Sequence, residues 1–313
     1  MNSDKQKLII LTGPTSAGKS DLSIKLAKSI GCEIISADSM QVYKHMDIGT
    51  GKIRKDEMNN VKHHLLDVVE PTSDFNITVF KELADKAIKD IFSRGKIPLI
   101  VGGTGFYIQS VLYDVEFTNE QNDMQYRRYL EDLAVTKGNA YLHNMLYKID
   151  PQSAQTIHKN NIKRMIRALE FYHLENKPIS LHNKEQRKKI SPYSFKYFVL
   201  SDDRQTLYQK INKRVDNMIS QGLIEEVKNL QKMGCTKNMT SMQAIGYKEI
   251  LEFLSDECSL EDAIYNIKIN TRHYAKRQLT FFRHERDVTW IMRNDYSSED
   301  EILDYMIGEI GKL

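Results

Sequence analysis

Apolar residues fall in short runs near the start of the chain and in spaced stripes further on. Lys7–Leu11 is an apolar run followed by Gly13 and Pro14, which predicts a buried strand and a turn. Leu22, Ile24, Leu26, Ala27 and Ile30 recur at helical spacing, so Ser20–Ile30 reads as a helix ended by Gly31. Glu33–Ser36 reads as a second strand, ending at Asp38. Val79–Phe92 is another amphipathic helix, closed near Gly95. Ile97–Val101 is a third strand that runs into Gly102-Gly103-Thr104-Gly105. Strands alternating with helices predict a parallel sheet with right-handed crossovers.

The pattern changes after residue 115. Residues 121–184 carry helical spacing of Tyr, Leu, Met and Ile, broken at Gly138, Pro151 and Pro178, with no convincing strand. Phe195–Leu200 returns as a strand. Long helical segments follow, broken near Gly222 and Gly234, and Val288–Met292 reads as one more strand. The chain therefore divides into an α/β core, 1–115 with 196–313, and an all-helical insertion at 116–195.

Composition narrows the class. Of 313 residues, 41% are hydrophobic and 28% charged, the balance of a globular chain and not of a disordered one. Apolar runs such as Leu8–Leu11 and Pro98–Val101 are too short to span a bilayer. Met1–Lys7 is polar and only four apolar residues follow, so no signal peptide is expected. Cys32, Cys235 and Cys258 are odd in number and far apart, which predicts neither a disulfide framework nor a zinc site. The expected location is cytoplasmic. Adjacent His63 and His64 point apart on a strand and about 100° apart on a helix, so a shared ion is disfavoured there.

Gly13-Pro14-Thr15-Ser16-Ala17-Gly18-Lys19-Ser20 matches G-x-x-x-x-G-K-[ST] in full. In such a P-loop, backbone N–H groups turn inward around phosphate oxygens, Lys19 adds a point charge, and the Ser20 hydroxyl can hold Mg²⁺. The loop opens a helix, whose N-terminus adds partial positive charge. The fold class is thus a P-loop NTPase-like parallel sheet flanked by helices. A nucleotide hydrolase of this class carries a second acid at the end of a later strand. Here Ile97–Val101 ends in Gly-Gly-Thr-Gly, and Asp38 is the nearest acid. That suits departure of an activated diphosphate better than ATP hydrolysis.

An ordered set of further motifs follows: Asp38-Ser39-Met40-Gln41-Val42-Tyr43, Met46-Asp47-Ile48-Gly49-Thr50, His63-His64-Leu65-Leu66-Asp67, Gly102–Tyr107, Arg164–Glu170, Gln243–Lys248 and Thr271–Arg283. Through it the chain resembles, over nearly its whole length, the bacterial tRNA dimethylallyltransferase family, also called tRNA isopentenyltransferases. The resemblance implies transfer of a dimethylallyl group from its diphosphate to N6 of the adenosine 3′ of the anticodon, with that base extruded into a channel. It implies Asp38 as general base, Thr104 as donor to the bridging oxygen of the leaving group, and Arg214 as a clamp on the diphosphate. Gly13, Pro14, Thr15, Ser16, Ala17, Gly18, Lys19 and Ser20 would hold that diphosphate, with Mg²⁺ on Ser20. Contacts to tRNA are implied for Asp38, Ser39, Met40, Gln41, Thr104 and Arg127, for Lys163, Arg164, Met165, Ile166 and Arg167, and for Gln243, Ala244, Ile245, Gly246, Tyr247 and Lys248. The helical insertion would grip the anticodon stem. A monomer is expected, with no membrane attachment. Two departures are small: Ser16-Ala17 stands where the family often has Ala-Ser, and Phe106 where it often has leucine.

Charge distribution points the same way. The net charge is only +3, yet Lys268–Arg286 holds six basic residues against one acid, with Tyr274, Phe281 and Phe282 interleaved. Lys184–Lys196 adds five basic residues against one acid. Such segregation is the footprint of a phosphate backbone, and Arg277 is the candidate phosphate contact in the first run. Two other readings compete: a P-loop small-molecule kinase and a non-catalytic RNA-binding module. A kinase requires neither Gly-Gly-Thr-Gly in place of the second acid nor the basic, aromatic C-terminal helix.

Overall fold

β1 (Lys7–Thr12) is buried from Leu8 onward, as a strand covered on both faces must be. α1 (Lys19–Ile30) follows the glycine loop and stops at Gly31, which takes the left-handed conformation. β2 (Glu33–Ser36), β3 (His63–His64), α2 (Ile77–Ser93), β4 (Pro98–Gly102) and α3 (Gly105–Leu112) complete the first stretch. Asn76 caps α2, its side chain accepting from the N–H groups of Thr78 and Val79. These elements belong to a computed structural model that describes residues 5–115 and 123–313. The first residues of the polar leader, 1–4, and the predicted start of the insertion, 116–122, lie outside the described residues.

The next helices are α4 (Met124–Thr136), α5 (Asn139–Ile149), α6 (Pro151–Thr156), α7 (Ile162–Glu175) and α8 (Ile179–Gln186). Three of their four breaks fall at Gly138, Pro151 and Pro178, the residues that interrupt the helical spacing in the sequence; the fourth, at 157–161, has no such marker. Leu130, Leu133, Leu142, Leu146, Met165, Ile166 and Leu169 form their common core. Asp150 caps α6 while buried. Its carboxylate accepts from the N–H and hydroxyl of both Ser153 and Ser180. Burial alone would raise its pKa, but those bonds outweigh the desolvation and hold it below the usual carboxylate range.

The chain then adds β5 (Ser194–Ser201), α9 (Arg204–Ser220), α10 (Leu223–Lys232), α11 (Tyr247–Leu254), α12 (Leu260–Phe282), β6 (Val288–Met292) and α13 (Glu299–Ile310). Two compact units result. One holds the residues up to Leu112 together with Pro192–Leu313, and the other is Tyr113–Ser191. Ser194 already pairs with Lys7 of β1, so the chain rejoins the sheet before residue 196.

The six strands form one parallel sheet in the order β3-β2-β4-β1-β5-β6. Ile9, Leu11, Leu22, Leu26, Phe198, Leu200 and Ile291 pack with Ile302 and Met306 of α13 in the main core. β1 lies between β4 and β5, and the winding direction reverses there. The crevice beyond the carboxyl ends of β1 and β4 is where such sheets bind ligands. Thr12 Oγ1 donates to the Gly102 carbonyl at 2.7 Å, tying those two strand ends together. Among the described residues no helix is long and apolar enough to cross a membrane.

Candidate active site

The phosphate loop joins β1 to α1 as its motif requires. Ser16 takes a left-handed φ of 66°, which a residue with a side chain adopts only at a cost of about 1 kcal/mol or more. Its Oγ is buried with no hydrogen-bond partner among the described residues. A strained turn around an orphaned hydroxyl fits a cradle built for an anion. Lys19 Nζ folds back onto the carbonyls of Gly13 (3.0 Å) and Pro14 (2.8 Å). Desolvation lowers Lys19 to about 8; the Arg214 cation pushes the same way and Asp38 opposes. Two cations facing one hollow, with Asp38 as the carboxylate that offsets them, mark a receptor for further negative charge.

Asp38 follows the carboxyl end of β2. Its Oδ1 accepts from the N–H groups of Met40 (2.9 Å) and Gln41 (3.3 Å), so one oxygen organises the turn that carries Ser39–Gln41. Thr104, following β4, meets the same turn: its Oγ1 accepts from the Ser39 N–H at 3.3 Å. The Tyr274 hydroxyl lies on the same side, its pKa pushed up first by burial and then by Asp38, with Thr104 opposing.

Arg214 lies on α9 beside the buried stripe of Leu207, Ile211, Val215 and Met218, and so does not sit on the solvated face. Burial lowers its pKa and Asp38 partly offsets that. It donates to the Thr50 carbonyl at 3.0 Å. Gly51 makes room for it: a Cβ there would stand 2.1 Å from the Arg214 guanidinium. The same loop is stapled by Glu226, which accepts from the N–H groups of Asp47 (2.9 Å), Ile48 (2.7 Å) and Gly49 (3.1 Å). Tyr247 donates its hydroxyl to Glu226 at 2.6 Å.

α12 presents Ile267, Thr271, Tyr274 and Gln278 along one face at helical spacing, with Arg277 beside them; all five line the cavity. Tyr274 stands out in the sequence only as an aromatic among basic residues, and Gln278 and Glu226 do not stand out at all. The spacing of 267, 271, 274 and 278 is a signal that could have found the first two. Glu226 leaves no such trace.

These groups meet in one cavity of about 630 Å³. Thr15, Ser16, Gly18, Lys19 and Ser20 line one part of it, with Asp38, Ser39, Met40, Gln41, Arg214, Gln243, Ala244 and Ile245 around the rest. Val215, Met218 and Ile267 supply an apolar patch. Thr104 is half-buried and directly follows Gly102 and Gly103, which line the cavity. Hard oxygen donors collect near the loop: Ser20, Asp21 and Asp38 share the cavity, which fits Mg²⁺ chemistry.

Other sequence candidates sit elsewhere. Gly246 and Tyr247 are buried, and Lys248 pairs with Glu252. The Tyr113–Ser191 unit carries Arg127 and Lys163–Arg167. Arg127 forms a two-pronged pair with Glu170, both bonds at 2.8 Å. Met165 and Ile166, expected to face tRNA, are core residues of that unit, as Tyr247 is of its own. The helical period that turns Lys163 and Arg164 outward turns Met165 and Ile166 inward, so these side chains are removed from the expected interface. The Lys184–Lys196 run also divides: Lys196 lies on β5 and pairs with Glu309 at 2.8 Å. His64 contacts buried Glu33 at 2.8 Å, away from the cavity lining. Burial would raise Glu33, but Arg94, His64 and Lys96 bring it down to about 2.

Comparison with known proteins accords with this geometry. A family described as IPP transferase matches residues 41–285. The chain is 55% identical, over 96% of each sequence, to the tRNA dimethylallyltransferase of Lachnoclostridium phytofermentans. It superposes on the tRNA isopentenylpyrophosphate transferase of Bacillus halodurans with a TM-score of 0.74, at 41% identity and 98% coverage of both chains. For a eukaryotic dimethylallyltransferase that acts on tRNA, the TM-score is 0.78 at 30% identity, covering 98% of this chain and 80% of the other. Sequence, fold and site together assign the chain to the IPP transferase family, the tRNA dimethylallyltransferases.

Proposed function

We propose that this prenyltransferase moves the dimethylallyl group of dimethylallyl diphosphate onto N6 of the adenosine 3′ of the tRNA anticodon, with that base extruded into the cavity. The observation that carries the reading is the meeting of a phosphate loop, Arg214 and Asp38 around one hollow. N6 attacks the allylic carbon, its carbon–oxygen bond breaks, and diphosphate leaves. Asp38 takes the proton from N6, since an amino group on an adenine ring is a weak nucleophile. The loop N–H groups, Lys19 and Arg214 receive the charge that builds on the leaving diphosphate. The Thr104 hydroxyl donates to its bridging oxygen. Ser20 and the diphosphate oxygens would hold Mg²⁺, which supplies charge neutralisation.

The direct test mixes the protein with unmodified tRNA, Mg²⁺ and dimethylallyl diphosphate labelled in the allyl group. Label on the adenosine beside the anticodon is expected. Unlabelled tRNA, shown to be folded and unmodified, would reject the reading.

The Lys19 pKa of about 8 gives a pH dependence. Above pH 8 the free protein loses the ammonium, while a bound anion favours it and raises the pKa. Affinity for inorganic diphosphate should therefore fall by up to about tenfold per pH unit above that point. Calorimetric titration from pH 7 to 10 checks this; the ratio to Lys19→Met removes the ligand's own ionisation. A ratio that stays flat would take Lys19 out of the anion site.

Arg277 stacks over Tyr274 at 5.7 Å and lines the cavity. Arg277→Ala should weaken tRNA binding and lower the slope of log affinity against log salt by about 1, one phosphate contact. Filter binding across a salt series measures both. An unaltered slope would return Arg277 to a packing role.

A further inference from the structure

One side chain touches both loops that leave the central strands. Gln278 Oε1 accepts from the Thr15 N–H of the phosphate loop at 2.9 Å. Its Nε2 donates to the Gly103 carbonyl, also at 2.9 Å. The two partners fix the orientation of the amide, because an N–H demands the oxygen end and a carbonyl the nitrogen end. Gln278 is 6% exposed, so neither bond competes freely with water. The fit is mutual: a Cβ on Gly103 would stand 2.2 Å from Gln278 Nε2, so any other residue at 103 would push this amide out of the bridge. The Thr12–Gly102 bond ties the strand ends, but the loops beyond them are joined by this amide.

We infer that Gln278 is a positioning residue, which sets the phosphate loop against the Gly103–Thr104 loop and thereby fixes where the diphosphate sits relative to Asp38. By engaging the Thr15 N–H it also removes that donor from the cradle. The Ala17 N–H is turned onto the Pro14 carbonyl, so the anion is left with the N–H groups of Ser16 and of Gly18 onward, closer to Lys19 and Ser20. Gln278 touches no reacting atom in this scheme; it acts through the two loops. Glutamate could replace only half of the bridge, because it accepts from Thr15 but has no proton for Gly103. Methionine keeps the length and loses both bonds.

The inference rests on the reading of the cradle as a diphosphate site, so both are measured together. For Gln278→Met, kcat, the KM of each substrate, the melting temperature and the Kd for inorganic diphosphate are compared with wild type, with rates expressed per folded molecule. Expected are a fall of about 10–100-fold in kcat and a rise of about tenfold in the donor KM, with the KM for tRNA changed less than about twofold. Donor KM and kcat both within about twofold of wild type, whatever the melting temperature, would overturn the inference. Equal losses in the KM values of donor and tRNA would do the same, since they mark general damage. Should the methionine variant not fold, Gln278→Glu faces the same criteria. Wild type that does not bind diphosphate would sink the underlying reading, and the inference with it. Wild type that binds diphosphate beside an unaffected variant would sink the inference alone.

Discussion

Asp38→Asn should slow prenyl transfer by about 10²–10⁴-fold while the Kd for dimethylallyl diphosphate holds or falls slightly. Asparagine keeps the Oδ1 that accepts from Met40 and Gln41, so the turn carrying Ser39–Gln41 persists. What disappears is the group that takes the proton from N6. The donor end gains, because Asp38 is the carboxylate beside Lys19 and Arg214 and opposes any further anion there. Asp38→Ala loses the base and the turn together, so it should be at least as slow as the asparagine variant and should also weaken tRNA binding through Ser39–Gln41. Single-turnover transfer of labelled donor, with tRNA binding measured separately, resolves the two variants. A wild-type rate for Asp38→Asn would remove Asp38 as the base.

The parts of this protein legible in its sequence are those whose cause is local. β1 and β5 read as apolar runs because a parallel strand covered on both faces is buried along most of its length, from Leu8 in β1 and from Tyr197 in β5. The phosphate loop is contiguous and its glycines have one use. Gly138, Pro151 and Pro178 punctuate the helical insertion because they stop helices regardless of context. β3 went unpredicted, since His63 and His64 carry no apolar signal. They become a strand only by pairing with Ile34 and Ile35. α3 was hidden behind the Gly102–Gly105 turn. Within the site, Glu226 and Gln278 hold loops far from them in sequence, and no periodicity records such a bond. Met165 and Ile166 show the converse. Their motif is contiguous in sequence, but a helix turns neighbouring side chains to different sides, and these two face the core.

Arg214→Ala should cost about 10²–10³-fold in kcat/KM for the donor, or about 2.7–4 kcal/mol of transition-state stabilisation. The guanidinium is fixed before the donor arrives, by the Thr50 carbonyl and by the space that Gly51 leaves. Its field is strong because it is desolvated, the same condition that lowers its pKa. Diphosphate bound to the ground state is already charged, so part of the loss falls on KM. The larger part falls on kcat, because charge grows on the departing oxygen as the allylic bond breaks. Arg214→Lys separates charge from geometry. Lysine restores a cation but lacks the fork that reaches Thr50 and a phosphate at once, so it should recover donor KM more than kcat. Steady-state kinetics on both variants at saturating tRNA decide it. If Arg214→Ala keeps wild-type kcat/KM for the donor, Arg214 only supports the Thr50–Gly51 loop, and Lys19 with the loop N–H groups carries the leaving charge.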